Sequence, residues 1–173
     1  MPSIKEVKNR IGSVKSTQQL TKAMKMVAAA KLKKAQDKVL QLRPYSKKLN
    51  EILSNLSDSI NNELFKERNV NKVLVVIVSS DKGLCGGFNS SLIKEFKSFS
   101  NDNNFNNITV LPIGKKAYDF FKNSNFDLIL DYWEELNEFS YEKSSEICDF
   151  IISSFIESRF DKVSIIYNEF KNV

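Results

Sequence analysis

The stretch from Ser3 to Leu56 decides the fold of this chain, and it reads SIKEVKNRIGSVKSTQQLTKAMKMVAAAKLKKAQDKVLQLRPYSKKLNEILSNL. Ser3 and Glu6 have the S-x-x-E spacing of a capping box, in which two side chains satisfy free backbone amides at a helix start. Apolar residues then recur at the first and fourth positions of a heptad, which is typical of a helix that packs on a partner helix. The sequence therefore predicts one very long coiled-coil helix.

Two residues disfavour a continuous helix, and the heptad positions in its middle section are polar. Gly12 costs about 1 kcal/mol relative to alanine. Pro44 costs about 3 kcal/mol inside a helix, but the heptad resumes after it, so we expect a continued helix with a local bend. The heptad positions turn polar at Gln18, Thr21 and Lys25. We therefore expect the middle section to contact something other than an apolar partner helix.

Length indicates that the helix needs an external partner. At about 1.5 Å per residue it would be a rod of roughly 80 Å. The remainder amounts to one domain of about 100 residues, with an expected radius of gyration of about 13 Å. Such a domain is too small to cover the rod, and the sequence predicts no second long helix.

Charge is divided unequally along the chain. The first fifty residues contain 13 lysines and arginines against two acidic residues, a net charge of +11, and the rest carries −6. A basic helix beside an acidic domain predicts an anionic partner for the helix, which could be nucleic acid, a membrane surface or acidic protein loops.

Composition excludes several kinds of site. The chain has no histidine, which excludes histidine-based catalytic triads and histidine-ligated metals. Its two cysteines, Cys85 and Cys148, are far apart and fit no zinc spacing. The longest strongly apolar run, 73–78, is far shorter than the roughly 20 residues that span a bilayer. We expect no membrane span, metal or cofactor.

After residue 71 the sequence alternates between strand and helix patterns. Strands are predicted at 72–80, 108–114, 126–130 and 163–167, and helices at 90–99, 115–122 and 141–158. The first strand is an unbroken β-branched run, which suits burial on both faces of a parallel sheet. The alternation predicts a Rossmann-like α/β domain with right-handed crossovers. We therefore expect a coiled-coil helix at 1–58, a linker with one short turn at 59–71 and a parallel-sheet domain at 72–173.

A glycine-rich turn, DKGLCGGFN at residues 81–89, joins the first predicted strand to the next helix. A strand, a glycine turn and a helix start can bind phosphate through backbone amides. This run has neither of the phosphate-binding spacings G-x-x-x-x-G-K-[ST] and G-x-G-x-x-G. We interpret Gly83, Gly86 and Gly87 as serving unusual backbone angles and close packing in a structural turn. Cys85 has no histidine to activate it, so we interpret it as a half-buried, inert thiol.

The basic helix leaves several functions open. A nucleic-acid partner would call for aromatic platforms or one basic stripe, whereas Tyr45 is the one aromatic residue of the helix and its lysines occur all around it. A membrane surface would call for an apolar face with Trp or Phe. Acidic protein loops around the helix fit best. The alternatives are a basic-helix nucleic-acid-binding protein with an α/β dimerisation domain and a small nucleotide-using enzyme.

Several blocks of sequence carry a family resemblance. They are TKAMKMVAAAK at 21–31, LRPY at 42–45, SSDKGLCGGFN at 79–89, PIGKKAYDFFK at 112–122 and VSIIYNEF at 163–170. In this order, from about Ser3 to Phe170, they resemble the gamma-subunit family of rotary F-type ATP synthases.

The resemblance implies a central shaft, in which the N-terminal helix winds antiparallel with a long C-terminal helix inside a ring of alpha and beta subunits. It implies an α/β foot domain that contacts the epsilon subunit and the membrane c-ring. The subunit would be noncatalytic and would convert ion-driven c-ring rotation into ATP synthesis in the head. It would bind no nucleic acid, insert into no bilayer, and lie on the cytoplasmic side of the bacterial inner membrane or the equivalent organellar face.

The resemblance also places two candidate sites. By position, the motif that faces the acidic beta loops falls on Lys22, Met24 and Lys25. The foot-domain turn, a structural and subunit-contact element, falls on Gly83, Cys85, Gly86 and Gly87. The family has further sheet and a C-terminal helix, so we expect the sheet domain to be incomplete at its C-terminal end and a shaft helix to be missing.

Overall fold

The computed structural model describes residues 3–56, 62–66, 68–103, 105, 107–134 and 140–171. The chain divides into two units, Met1–Ile60 and Asn61–Val173. The first unit contains the long helix and the second contains the sheet.

Helix α1 runs without interruption from Ile4 to Leu56, a length of 53 residues. The predicted capping box is present: the Ser3 amide donates to Glu6 Oε2 over 2.9 Å, and the Glu6 amide donates to Ser3 Oγ over 3.3 Å. Pro44 lies inside the helix, although proline lacks the amide that would bond to the carbonyl four residues earlier. The turns on both sides are rich in Gln, Leu, Arg and Lys, whose high helix propensity favours continuation.

The apolar heptad positions of α1 are exposed, with exposed fractions from 37% at Val39 to 88% at Ile4. We call these residues the seam; its members are Ile4, Val7, Ile11, Val14, Leu32, Val39, Leu42, Leu49 and Leu53. Such side chains gain little from the hydrophobic effect until another surface removes them from water. The seam is therefore a strip along which a further apolar surface can pack.

The second unit is built on a fully parallel sheet with the strand order β3–β2–β1–β4. The strands are β1 (Lys72–Val78), β2 (Asn107–Ile113), β3 (Asp127–Leu128) and β4 (Lys162–Ile166). The connecting helices are α2 (Phe88–Asn103), α3 (Lys115–Phe121) and α4 (Tyr141–Ile156). The predicted α/β fold, a long helix followed by a Rossmann-like parallel sheet, is confirmed.

Both faces of the sheet are covered. Strand β1 is buried as predicted, since Val73 to Ile77 are at most 2% exposed. On one face, α2 and α3 pack Leu92, Phe96 and Phe121 against alternate residues of β1 and β2. Helix α4 packs on the opposite face. The core of the unit thus lies in two layers, one on each side of the sheet.

Helix α2 is longer than predicted at both ends, and most other element ends differ from the predicted ones by one or two residues. Three further differences concern β1, β3 and α4. Strand β1 ends at Val78 rather than at residue 80. The Ser79 amide still donates to the Ile113 carbonyl of β2 over 2.8 Å, whereas Ser79 Oγ and the Ser80 carbonyl accept from amides at the start of α3. Strand β3 has two residues rather than five and pairs with β2 at Thr109 and Val110. Helix α4 ends at Ile156 rather than at residue 158, because Ser158 adopts a left-handed backbone with φ 59°.

A short 3-10 helix, Glu63–Phe65, lies within the predicted linker. Asn62 caps it, because the Leu64 amide donates to Asn62 Oδ1 over 3.0 Å. Residues 57–61 and 67 lie outside the described part of the chain.

Candidate functional site

The first candidate site lies on α1 around Lys22, Met24 and Lys25. Met24 is 64% exposed, and both lysines are exposed. The two lysines are three residues apart, so they are neighbours on one face of the helix. Thr21, where the heptad turns polar, donates its hydroxyl to the Thr17 carbonyl over 2.8 Å and so bonds to its own helix. The lysine pair forms a local cationic patch that can bind a carboxylate-bearing loop.

The positive charge of α1 is balanced only slightly by the helix itself. Its acidic residues are Glu6, Asp37 and Glu51. The Glu6 carboxylate is engaged in the capping box, and the Glu51 carboxylate pairs with Lys48 Nζ over 3.0 Å. Exposed pairs of this kind contribute about 0–1 kcal/mol. The helix therefore presents a strongly cationic surface to any partner.

The second candidate site is the turn between β1 and α2, and it is bonded to the start of α3. Three α3 amides donate to it: Lys115 to Asp81 Oδ1 (3.0 Å), Lys116 to the Ser80 carbonyl (3.1 Å) and Ala117 to Ser79 Oγ (2.8 Å). Amides at a helix start are the groups that bind phosphate in many proteins. Here the chain's own oxygen atoms occupy them, so they are not available to an anion.

Asn89 of α2 closes the same turn from the other side. The Ser80 amide donates to Asn89 Oδ1 over 3.1 Å, and Asn89 Nδ2 donates to Ser80 Oγ over 2.9 Å. The same Nδ2 donates to Cys85 Sγ over 3.1 Å. Ser80 Oγ in turn donates to the Lys82 carbonyl over 2.6 Å. These bonds hold the turn in one conformation without any bound group.

Cys85 is exposed, so the prediction of a half-buried thiol was wrong. It lies between two residues with left-handed backbone, Leu84 with φ 60° and Gly86 with φ 58°. The Leu84 side chain is fully exposed. The two left-handed residues lie at the tip of the turn, where Leu84 and Cys85 are exposed.

Of the three glycines in the turn, Gly86 is the one whose backbone requires glycine, because its φ is +58°. A Cβ at Gly83 would meet Lys116 Cε at 3.8 Å, and a Cβ at Gly87 would meet Ser91 Oγ at 3.6 Å. Both are ordinary van der Waals distances. The interpretation of unusual backbone angles is therefore right at Gly86, where a Cβ would meet nothing within 4 Å, and the interpretation of close packing is wrong at all three glycines.

The groove between α2 and β4 lacks the cations of a phosphate site, and the described residues contain no group that could hold a metal ion. A groove of about 490 Å³ between α2 and β4 is lined by Glu95 and by neutral residues, without a lysine or arginine. In the described ranges, no three Cys, Asp or Glu side chains are grouped so that they could hold a metal ion. None of the described helices is both long enough and apolar enough to cross a membrane.

Sequence reasoning passed over the residues that hold the turn, namely Ser79, Ser80, Asp81 and Asn89. A signal was present, because Ser, Asp and Asn next to strand or helix ends commonly bond to nearby backbone groups. Their pairing with α3 depends on β1 and β2 lying side by side, which local sequence does not reveal.

The fold and the two sites define a class of protein: one with a long basic helix, whose apolar seam is exposed, and an α/β domain whose glycine turn is closed by its own side chains. The family model described as ATP synthase matches residues 3–173, and the chain belongs to this family. The predicted family resemblance is confirmed.

Individual relatives agree with the family. The chain is 46% identical over 177 residues to the ATP synthase gamma chain of Amoebophilus asiaticus, with 98% of this chain and 61% of the relative covered. It is 41% identical over 182 residues to the gamma chain of Cytophaga hutchinsonii, with 100% and 62% covered. The chain thus spans about three fifths of the length of these curated relatives.

A solved structure is similar as well. It is the cryo-EM structure of the central stalk and c-ring of the Tetrahymena thermophila mitochondrial ATP synthase. The TM-score is 0.63 at 26% sequence identity, and the match covers 88% of this chain and 66% of that chain.

Proposed function

We propose that this chain is the central-stalk, or rotor-shaft, subunit of an F-type ATP synthase and couples ion-driven rotation of the c-ring to ATP synthesis in the alpha and beta head. The observation that carries the proposal is α1, a basic helix of 53 residues whose apolar seam is exposed. Because the chain belongs to the ATP synthase family, we assign this helix to the rotor shaft.

The parts of the chain have separate tasks in this proposal. Residues 1–58 form part of the shaft, residues 59–71 form a linker, and residues 72–173 form the foot domain. We assign the seam to a second long helix, the C-terminal shaft helix of the intact subunit, wound antiparallel along α1. The apolar heptad of the seam supports this assignment, because coiled-coil partners bury such positions between them.

Lys22, Met24 and Lys25 contact the acidic loops of the beta subunits in this proposal. The lysine pair on one face of α1 and the net charge of +11 in the first fifty residues support it. Long-range attraction would keep the shaft centred in a ring of acidic loops while still allowing it to turn, since such attraction requires no fixed contact geometry.

The foot domain contacts the epsilon subunit and the c-ring, and the glycine turn is one of its contact elements. The turn is suited to this because it is rigid and presents the exposed side chains of Leu84 and Phe88. We assign the chain no catalytic residue and no cofactor of its own. It would lie peripherally on the cytoplasmic side of the bacterial inner membrane or the equivalent organellar face.

The test is purification of the tagged chain from its native membranes, followed by identification of its partners. We expect recovery of alpha, beta, epsilon and c subunits. Recovery of none of these, together with DNA binding that weakens steeply with salt, would contradict the proposal and favour the nucleic-acid alternative.

The beta-loop assignment has its own test, the double variant Lys22→Glu with Lys25→Glu in the assembled complex. We expect fewer protons pumped per ATP hydrolysed, because the new carboxylates repel the acidic loops. The matched control is Lys33→Glu with Lys34→Glu, which changes the net charge of α1 by the same amount. Equal effects of the two double variants would mean that the net charge of α1, and not contact at Lys22 and Lys25, accounts for the change in coupling.

A further inference from the structure

The chain passes from α1 to β1 through one segment, and two links between residues distant in sequence hold that segment to the end of α4 and to the start of β4, the strand beside β1. We call its described residues, 62–66 and 68–72, the entry segment. The first link is Arg68, whose Nη1 donates to the Phe155 carbonyl over 2.6 Å and lies 3.4 Å from Ser158 Oγ. It therefore joins the entry segment to the last turn of α4.

Arg68 is held on several sides. Its side chain is only 16% exposed, and the guanidinium lies 4.1 Å from the centroid of the Phe155 ring. Its Nη2 lies 3.9 Å from Glu63 Oε2 in the 3-10 helix of the same segment. A planar guanidinium can stack and donate several bonds at once, and lysine cannot.

The second link runs in the opposite direction, from the α4–β4 connection (residues 157–161) back to the entry segment. Asp161 Oδ2 accepts from the Asn71 amide over 3.0 Å and from the Lys72 amide over 2.9 Å. The Asp161 amide also donates to the Lys72 carbonyl over 2.8 Å. The entry segment is thus bonded to α4 by its own arginine. It is bonded to the start of β4, the strand beside β1, by the aspartate that precedes β4.

We propose that Arg68 and Asp161 form a mechanical clamp that carries torque between the α/β domain and α1. This inference rests on the proposed rotor function. The entry segment is the covalent connection between α1 and β1, and without the clamp a load on this connection would fall on the first residues of β1. With the clamp, the load is shared among β1, the end of α4 and the start of β4. In this role, Arg68 and Asp161 hold the entry segment in position.

The experiment uses the complete ATP synthase complex carrying Arg68→Ala in its gamma chain. The head is immobilised, a nanorod is fixed to the α/β domain, and the angular fluctuations of the nanorod are recorded in a fixed nucleotide state. We expect the angular variance to increase by about half, because Arg68→Ala removes one of three comparable load paths and the mean-square displacement grows accordingly. The rate of ATP hydrolysis without load should stay unchanged, which distinguishes the clamp from a site that acts on nucleotides.

The matched control is Arg159→Ala. The Arg159 guanidinium also lies near a phenylalanine of α4, at 5.6 Å from the Phe150 ring centroid, so this change removes a comparable contact from the same region. Its angular variance should equal that of the unaltered complex. Arg68→Lys should give an intermediate variance, because one ammonium replaces a stacked and hydrogen-bonded guanidinium.

The outcomes separate this inference from the proposed function. If the unaltered α/β domain rotates relative to the head and Arg68→Ala leaves the variance unchanged, the clamp is refuted and the rotor function stands. If the unaltered domain does not rotate, the rotor function itself fails. Should Arg68→Ala not assemble, Asp161→Ala takes its place in the same measurement. Failure of both to assemble while Arg159→Ala assembles would overturn the clamp in favour of a folding role.

Discussion

Helix α1 and the α/β domain use similar apolar residues in opposite ways. The seam of α1 exposes Ile4, Ile11 and Leu42 by 88%, 51% and 63%, whereas Val73, Val75 and Ile77 of β1 are fully buried. The domain therefore gains the free energy of apolar burial from its own chain, and α1 leaves that gain to a partner. One sequence thus contains a unit with a buried core of its own and a helix whose apolar seam is exposed.

Polar groups show the same difference. The side-chain hydrogen bonds described in α1 join residues three or four positions apart, as at Ser3, Thr17 and Ser54. In the domain, Arg68 and Asp161 form side-chain bonds across 87 to 90 residues of sequence. Local bonds support a helix of any length but specify no tertiary contact. Bonds across such distances form only when the whole domain has folded.

The largest effect is expected from Phe96→Ala in the domain. Phe96 is 1% exposed and contacts the rings of Phe121 and Phe126 edge-on at centroid distances of 4.8 and 5.1 Å. We expect the free energy of unfolding to fall by about 3–5 kcal/mol, because the removed ring leaves a cavity in a packed core. Denaturant unfolding followed by fluorescence of Trp133, the one tryptophan of the chain, measures it.

Trp133 reports on the domain because its ring stacks on Tyr118 at a centroid distance of 4.3 Å. The matched change on α1 is Leu42→Ala, at a side chain that is 63% exposed. Leucine and alanine both favour helices, so we expect a change within about 0.5 kcal/mol. If Leu42→Ala lowers the free energy of unfolding of the isolated chain as much as Phe96→Ala does, the two units do not differ in the way they use apolar residues.

A smaller effect is expected from Gly86→Ala in the turn. The φ of +58° at Gly86 places an alanine in the left-handed region, which costs about 1–2 kcal/mol. Gly87→Ala is the control, because the added Cβ would lie 3.6 Å from Ser91 Oγ and the backbone has no such strain. The same unfolding experiment compares them. Equal losses at both positions would mean that packing and not backbone angle decides the need for glycine.

The contrast also explains which features could be predicted from the sequence. Local signals sufficed for α1, because its capping box and heptad are patterns within a few residues. Local signals also sufficed for the order of strands and helices. The apolar run at Val73–Ile77, for example, predicts a strand, and the glycine-rich turn directly after it predicts where that strand ends. Strand ends were less accurate, because β3 stops where its pairing with β2 stops.

The candidate site was predicted less completely for the same reason. The glycine-rich pattern located the turn at 81–89, but the exposure of Cys85 depends on left-handed residues at Leu84 and Gly86. Non-glycine residues rarely adopt that conformation, so a leucine gives no hint of it. The Arg68 and Asp161 links form because the fold brings α4 and β4 beside the entry segment, and no local sequence pattern predicts them.

A modest gain in stability is expected from Ser154→Ala. Ser154 in α4 is 1% exposed, and its Oγ has no hydrogen-bond partner among the described residues. Replacement by alanine removes a buried, unsatisfied hydroxyl, so we expect the free energy of unfolding to rise by about 0.5–1 kcal/mol. The control is the neighbouring Ser153→Ala, whose exposed hydroxyl donates to the Phe150 carbonyl over 3.0 Å. A loss of stability at Ser154 would reveal a bond that the hydroxyl makes in solution.

The smallest effect is expected in the acid dependence of the domain's stability. The amides of Lys72 and Asn71 that donate to Asp161 hold the pKa of its carboxyl below the ordinary value. The folded state therefore binds this proton more weakly than the unfolded state, whose aspartate pKa is about 3.9. Stability from this carboxylate is present above that pH and is lost as the pH falls through the lower pKa of the folded state.

Asp161→Asn should therefore flatten the decline of the unfolding midpoint below about pH 4, where the carboxylate of the unaltered chain takes up its proton. Asp127→Asn removes the same charge from β3 and serves as the control for net charge. Denaturant midpoints between neutral and acid pH, read from Trp133, compare the three chains. An unchanged acid slope in Asp161→Asn would mean that the bonds to the Asn71 and Lys72 amides do not stabilise the charged carboxylate in solution. The clamp would then lose one of its two links, and its long-range polar contacts would rest on Arg68 alone.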